Sequence, residues 1–354
     1  MIAVDGLLVD PSSVPPSADS TIADVHGALV VPGLVDLHTH VFRGIGRSVD
    51  ADVACLRRGT TTAVDAGSAG AASFEAFRQV ATSSATRLLA WINLSTIGLI
   101  DPNVGELIAR ARVDLDALTR AIEDNRDLIV GIKARLSSYA VGGPCLPILR
   151  LLIDAAEAAR VPVMVHIGDS EESLDEILPL LRRNDIVTHC YTGRRHGILA
   201  GDGRVLASVL EARARGVLFD AARGRSHAAF PVMTAAVEQG FLPDILATDM
   251  SLGAARNPHH DMTTLCNELL SFGLRISQLI PMMTTNPALA IGRKELGYRT
   301  TGADADLTVL GIEDGNFEVR DVDGRSRRTK RRISVTATVR RGVYYPARTG
   351  EDTD

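Results

Sequence analysis

A chain of 354 residues, 45% hydrophobic and 23% charged, can bury a large core, which excludes a disordered or low-complexity protein. Its net charge of −5 supplies no basic field for nucleic acid or an anionic membrane. Its start (Met1-Ile2-Ala3-Val4-Asp5) lacks a signal-peptide pattern, no apolar run reaches the length of a membrane span, and Cys55, Cys145, Cys190 and Cys266 form no CxxC pair, so reduced thiols in a cytoplasmic protein are expected.

Two short apolar runs, Met1–Val4 and Leu7–Val9, precede a Pro/Ser-rich loop at Pro11–Ser20. From Leu29 a pattern repeats of short apolar strand, polar loop and helical stretch. The predicted strands are Val30–His40, Thr61–Ala66, Leu88–Ser95, Ile129–Leu136, Val161–Ile167, Ile186–Tyr191, Val217–Ala221 and Ile245–Thr248. Helical spacing marks Val104–Asn125, Pro147–Ala159 (Pro147 suiting a first turn), Ser170–Arg183 and Val205–Arg215. Val/Ile-rich strands without alternation fit a parallel sheet buried on both faces, and eight of them alternating with helices argue for an α/β fold of (β/α)8 TIM-barrel type. An open doubly wound sheet is disfavoured because no GxGxxG follows the first strand. Beyond Arg299, Ala303–Leu310 and Ile333–Tyr345 read as strands separated by a charged linker. The expected organisation is a small β-domain, of sandwich type, from residues 1–30 plus 300–354, and a barrel over 31–299. The basic run Arg325–Arg332 and the segment His259-His260-Asp261 read as a solvated loop and a helix start with solvent-facing histidines.

The chemistry concentrates at strand ends. His38 and His40 flank Thr39, and residues two apart on a strand share a face. Lys133 lies in the fourth strand, His166 ends the fifth, His189 the sixth and Asp249 the eighth. Buried strands reject such residues unless they are paired, and barrel enzymes keep their sites at the C-terminal ends of the strands. Together the six point to a metal site for a small-molecule substrate. A protonated lysine has no lone pair for a metal. Either a depressed pKa frees the amine for CO2 to form a bridging carbamate, or Lys133 is paired with Asp249 in a site without metal.

Pro32-Gly33-Leu34-Val35-Asp36-Leu37-His38-Thr39-His40, Thr285-Asn286-Pro287-Ala288 and Gly302-Ala303-Asp304-Ala305-Asp306-Leu307 resemble the opening and closing motifs of the amidohydrolase superfamily. The resemblance spans nearly the whole chain. It implies that His38, His40 and Asp249 bind a more buried metal and His166 and His189 a more exposed one, with carboxylated Lys133 and a hydroxide bridging them. Zinc is the usual metal in such enzymes, and the donor set suits it. The implied mechanism is attack by a hydroxide between two cations ~3.5–4 Å apart, with Asp249 as general acid and base. Asp65-Ala66-Gly67-Ser68-Ala69-Gly70, Asn93-Leu94-Ser95-Thr96-Ile97-Gly98-Leu99 and Gly131-Ile132-Lys133-Ala134-Arg135 resemble the deacetylase branch, which includes enzymes that deacetylate acylated hydroxy acids such as acetyl-mandelate. Members of that branch often carry His two residues after the last Asp, where this chain has Ser251. The sequence is also similar to dihydroorotase and D-aminoacylase-type enzymes.

Candidate substrate contacts are Arg135, two residues after Lys133, and Tyr191, two after His189, with Asn93, Ser68 and the loop arginines Arg223 and Arg225. Each has an ordinary structural alternative in a salt bridge, a core contact or a loop bond. The expected activity is removal of an acyl group from a small acylated acid. The alternatives are hydrolysis of a cyclic amide or an N-acyl amino acid, or a scaffold that has lost its metals. Barrel hydrolases of this kind are commonly homo-oligomers.

Overall fold

The computed structural model describes residues 1–14, 21–101 and 104–347, so residues 15–20 of the Pro/Ser-rich loop lie outside the described residues. Seven parallel strands form a curled sheet in chain order: β1 (Leu34–Thr39), β2 (Thr60–Ala66), β3 (Arg87–Asn93), β4 (Ile129–Arg135), β5 (Val163–His166), β6 (Ile186–Thr188) and β7 (Leu218–Asp220). Helices separate them and cover the outer face. Alternate residues serve the two faces. Val35 and Leu37 join Val64, Trp91 and Met164 inside the barrel, while Leu34 and Ala63 face the helices.

Ile245–Thr248, predicted as the eighth strand, forms no strand. Residues 245–250 close the barrel through single parallel bridges, Asp220 with Ile245 and Thr39 with Met250. The backbone is bent here, with Asp249 at φ 51°, and the Thr248 N–H donates to Asp36 Oδ1 at 3.1 Å, a side chain where a strand would offer a carbonyl.

Three other elements differ from the sequence reading. The predicted first strand, Val30–His40, is two strands, because the chain passes at Gly33 from the antiparallel sheet into the barrel. A Cβ at residue 33 would lie 2.1 Å from Thr61 Oγ1, so only glycine fits. The Val104–Asn125 stretch is helical only from Leu115–Asp124, started by Asp114 accepting from Ala117 N–H at 2.9 Å. The helix predicted over Ser170–Arg183 shrinks to Leu174–Ile177, where Pro179 cannot supply the next N–H. Leu146–Ala159 does carry Pro147 in its first turn.

A four-stranded antiparallel sheet has the order Val343–Pro346, Ser326–Arg340, Leu307–Arg320, Leu29–Pro32. The Ile2–Val4/Leu7–Val9 hairpin joins the chain near Ala303, where Leu8 N–H donates to Ala303 O at 2.8 Å. The basic run Arg325–Arg332 lies mostly in a strand and is not a loop. Its charges face acids across the ladder, with Arg331 on Asp314 and Arg332 on Glu313 at 2.7 Å each. Among the described residues no helix is long and apolar enough to cross a membrane.

Trp91 fills the barrel interior and donates from Nε1 to Leu37 O at 3.2 Å. It needs Gly131 opposite, where a Cβ would lie 2.2 Å from Trp91 Cζ3 and 2.5 Å from Pro162 O. Gly131→Ala is therefore expected to destabilise the fold by about 1–3 kcal/mol, read as a lower urea midpoint at unchanged slope.

Candidate metal centre

Asp36 sets the site's geometry from below. Its carboxylate accepts from the Thr248 N–H and hydroxyl and from His38 N–H, tying β1 to the closing segment. Burial pushes Asp36 up to about 7 against those hydrogen bonds. Above it, His38 and His40 come within 3.6 Å and 3.4 Å of Asp249 Oδ1 through their Nε2 atoms.

The imidazoles are oriented by groups behind them. Thr188 Oγ1 donates to Asp220 Oδ2 at 2.7 Å and lies 2.9 Å from His38 Nδ1. Because Thr188 Oγ1 already donates to Asp220, it is left to accept from His38 Nδ1, and His38 turns its Nε2 to the cavity, where it lies 3.6 Å from Asp249 Oδ1. His189 Nδ1 lies 2.9 Å from Ala222 O, which likewise fixes Nε2 as the free nitrogen. His40 is held by Ser68 Oγ at 3.0 Å from Nδ1. Burial lowers His38, His166 and His189 well below the ordinary histidine range, assisted by the neighbouring imidazoles and Lys133, so all three are neutral and able to bind a cation.

Lys133 is 2% exposed and its Nζ has no hydrogen-bond partner. Burial lowers its pKa to about 7, while Asp249 and Asp220 pull the other way. Asp220 Oδ1 is also without a partner, and burial pushes that carboxyl up to about 8. The Lys133 amine, buried without a partner beside the cavity, marks a place for a missing group. Donor atoms fall into two sets, each within 4.8 Å of one another: His38, His40 and Asp249, and His166, His189 and His227. By its donors, this floor fits two divalent cations.

Two ligand candidates sit at unusual backbone angles, His189 at φ 71° and Asp249 at φ 51°. The second needs Gly224 beneath it, because a Cβ there would lie 2.2 Å from Asp249 Oδ2.

All six ligand candidates, with Ser68 and Arg135, open onto one cavity of about 580 Å³. Arg135 is already engaged. Its Nε donates to Glu106 at 2.9 Å, its Nη2 to the other Glu106 oxygen, and its Nη1 to Tyr139 Oη at 2.8 Å. Arg47 and Arg225 line the same cavity with no carboxylate partner among the described residues.

Three substrate-contact candidates fall elsewhere. Tyr191 is buried and donates to Phe241 O at 3.3 Å. The i+2 rule that put it beside His189 fails because β6 ends at Thr188 and His189 turns left-handed. Asn93 is buried off the cavity, donating to Gly67 O at 2.9 Å and accepting from Ser95 N–H at 2.8 Å, and so fixes two loops. Arg223 turns outward to Glu268 at 2.6 Å and Arg320 O at 3.0 Å. Nor does His260 face solvent. It is buried with Nε2 2.9 Å from Thr248 O, whereas His259 is exposed. Sequence reasoning passed over His227, which lies on the Arg223 loop beyond β7, where barrel sites gather.

A model of the amidohydrolase family matches residues 29–326. The chain belongs to the amidohydrolase family. As a member it is a hydrolase, and it is similar along most of its length to proteins named deacetylases. It is 33% identical over 323 residues to one from Agrobacterium fabrum, covering 90% of this chain and 79% of the relative. With one from Enterococcus faecalis the identity is 31%, covering 93% and 90%. Among solved structures, one titled an adenine deaminase superposes with TM-score 0.90 at 29% identity (97% and 94% covered). One titled a dihydroorotase gives 0.88 at 32% (97% and 90%).

Thr188→Val removes the acceptor behind His38 while keeping the strand's shape. It is expected to weaken zinc binding about 10- to 100-fold by chelator competition, with the thermal midpoint nearly unmoved.

Proposed function

We propose that this amidohydrolase removes an acetyl group from an ester or amide of a small acid, using two divalent cations at the cavity floor. The observation that carries the reading is the unpartnered Lys133 amine among the two donor sets. In it, His38, His40 and Asp249 would hold one cation and His166 and His189 the other. Lys133, its amine adding CO2 and losing a proton to become an anionic carbamate, would be a ligand to them, with zinc the metal the donors suit. Bound there, the cations supply the field that lowers the pKa of water and polarises a carbonyl.

The chain's own groups do the rest. Asp249 takes the proton released as water adds to the acyl carbon. It returns that proton to the leaving oxygen or nitrogen as the acyl bond breaks, so one water yields acetate and the free alcohol or amine. Arg47 and Arg225, unneutralised at the cavity wall, receive the carboxylate of the acid. In this reading the described parts of residues 1–30 and 300–354 form the small β-domain beside a catalytic barrel over 31–299.

Three relatives named deacetylases, at 31–34% identity, support acetyl removal, while the structure titled a dihydroorotase, at 32%, makes cyclic-amide hydrolysis the second reading. The test joins metal content by mass spectrometry with a panel of acetylated hydroxy acids, N-acetyl amino acids, dihydroorotate and hydantoin. About two metals per chain, a sharp fall in Lys133→Ala, and turnover of acetylated acids are expected. Asp249→Asn should lower kcat by about 10²–10⁴-fold. Metal-free protein, or turnover confined to the cyclic amides, would sink the reading.

A further inference from the structure

The loop after β7 brings to the cavity a third imidazole that the proposed centre does not use. His227 stacks on His189, ring centroids 3.9 Å apart and 26° between planes, and stands edge-on to His166 at 5.1 Å. Its nitrogens are distinguishable. Nδ1 lies 3.2 Å from Thr192 Oγ1, and that oxygen also receives Arg194 N–H at 3.3 Å. Among the described residues the Thr192 hydroxyl has no other acceptor for its own proton, so it donates to Nδ1. A neutral His227 then carries its proton on Nε2, the nitrogen left to meet a ligand in the cavity.

A protonated Nε2 offers no lone pair to a cation. His227 lies close enough to His166 and His189 to share a cation with them, so it is the proton on Nε2, and not distance, that removes it from the donor set. The geometry suits a hydrogen-bond donor beside the outer donor set. The loop holds that donor still. His227 N–H donates to Arg223 O at 3.1 Å, and Gly224 lies against Asp249.

We propose that His227 is a catalytic residue whose Nε2–H donates to the substrate's carbonyl oxygen and stabilises the negative charge that grows there as water adds. The assignment rests on the acyl-hydrolase reading above. A fixed donor of this kind acts most strongly where water is excluded.

The test compares wild type with His227→Phe, which removes the donor, and His227→Gln, whose side-chain amide can reach the Nε2 position. Three readouts are needed: metals per chain by mass spectrometry, calorimetric binding of methylphosphonate as a tetrahedral stand-in for acetyl hydrolysis, and kcat and KM on the best acetylated acid. Both variants should keep the wild-type metal content. His227→Phe should lose about 10²–10³-fold in kcat, with a far smaller change in KM and a matching loss of methylphosphonate affinity. His227→Gln should recover part of both. Loss of one metal per chain in both variants would make His227 a ligand and overturn the donor role. So would unchanged methylphosphonate affinity in His227→Phe. A wild type that turns over no acetylated acid overturns the acyl-hydrolase reading separately, because the phosphonate titration does not depend on turnover.

Discussion

The site exists because one buried carboxylate closes the barrel. Asp36 and Thr248 are far apart in sequence, yet two hydrogen bonds from Thr248 to the Asp36 carboxylate hold β1 against the closing segment. Only with that seam closed do His38 and His40 meet Asp249. A regular eighth strand would have paired backbone to backbone there. It would also have continued the extended geometry through residue 249 and pointed that carboxylate elsewhere. The seam thus adds a side-chain clasp to the backbone bond from His40 N–H to Met250 O at 2.7 Å, and Asp249 turns left-handed between the two. Aspartate and histidine tolerate that region better than most residues, so Asp249 and His189 occupy it at modest cost.

A second constraint lies one layer behind the donors. Thr188 and Asp220 orient His38, Ala222 O orients His189, and Ser68 orients His40. Each fixes which nitrogen faces the cavity, so the imidazoles are arranged before any cation arrives. Burial keeps His38 and His189 neutral and, by the same physics, lowers the Lys133 amine to about 7. Desolvation, the usual objection to such a cluster, is here what prepares its ligands.

Much of this was legible in the sequence because a buried parallel strand is a poor place for His, Lys or Asp. His38, His40, Lys133, His166, His189 and Asp249 break an apolar pattern, and each break falls at the same end of the sheet. Reasoning by period stopped where the period stopped. Tyr191 was placed by alternation beyond the end of β6, and Arg223 by its position in a loop where the neighbouring Arg225 and His227 reach the cavity instead. Loops have no repeat from which a side chain's direction can be read. Arg325–Arg332 misled for a different reason. A run of like charge reads as solvated loop until the acidic partners on the opposite strand, Glu313 and Asp314, are known.

Solved structures that superpose closely on this chain bear the titles adenine deaminase and dihydroorotase, so a shared barrel does not choose the substrate. The loop after β7 narrows that choice, and it does so under a mechanical restriction. Gly224 touches the Asp249 carboxylate, and a Cβ at Gly253 would lie 2.9 Å from Arg225 Cδ, so the loops after β7 and after the closing segment interlock. Arg225, Ser226 and His227 reach the cavity from the same few residues that seat Asp249. A larger residue at position 224 or 253 would therefore disturb the Asp249 carboxylate or the cavity-wall Arg225 before it enlarged the cavity. In this chain, shaping the cavity wall and seating the Asp249 carboxylate are one packing problem, and both glycines are part of its solution.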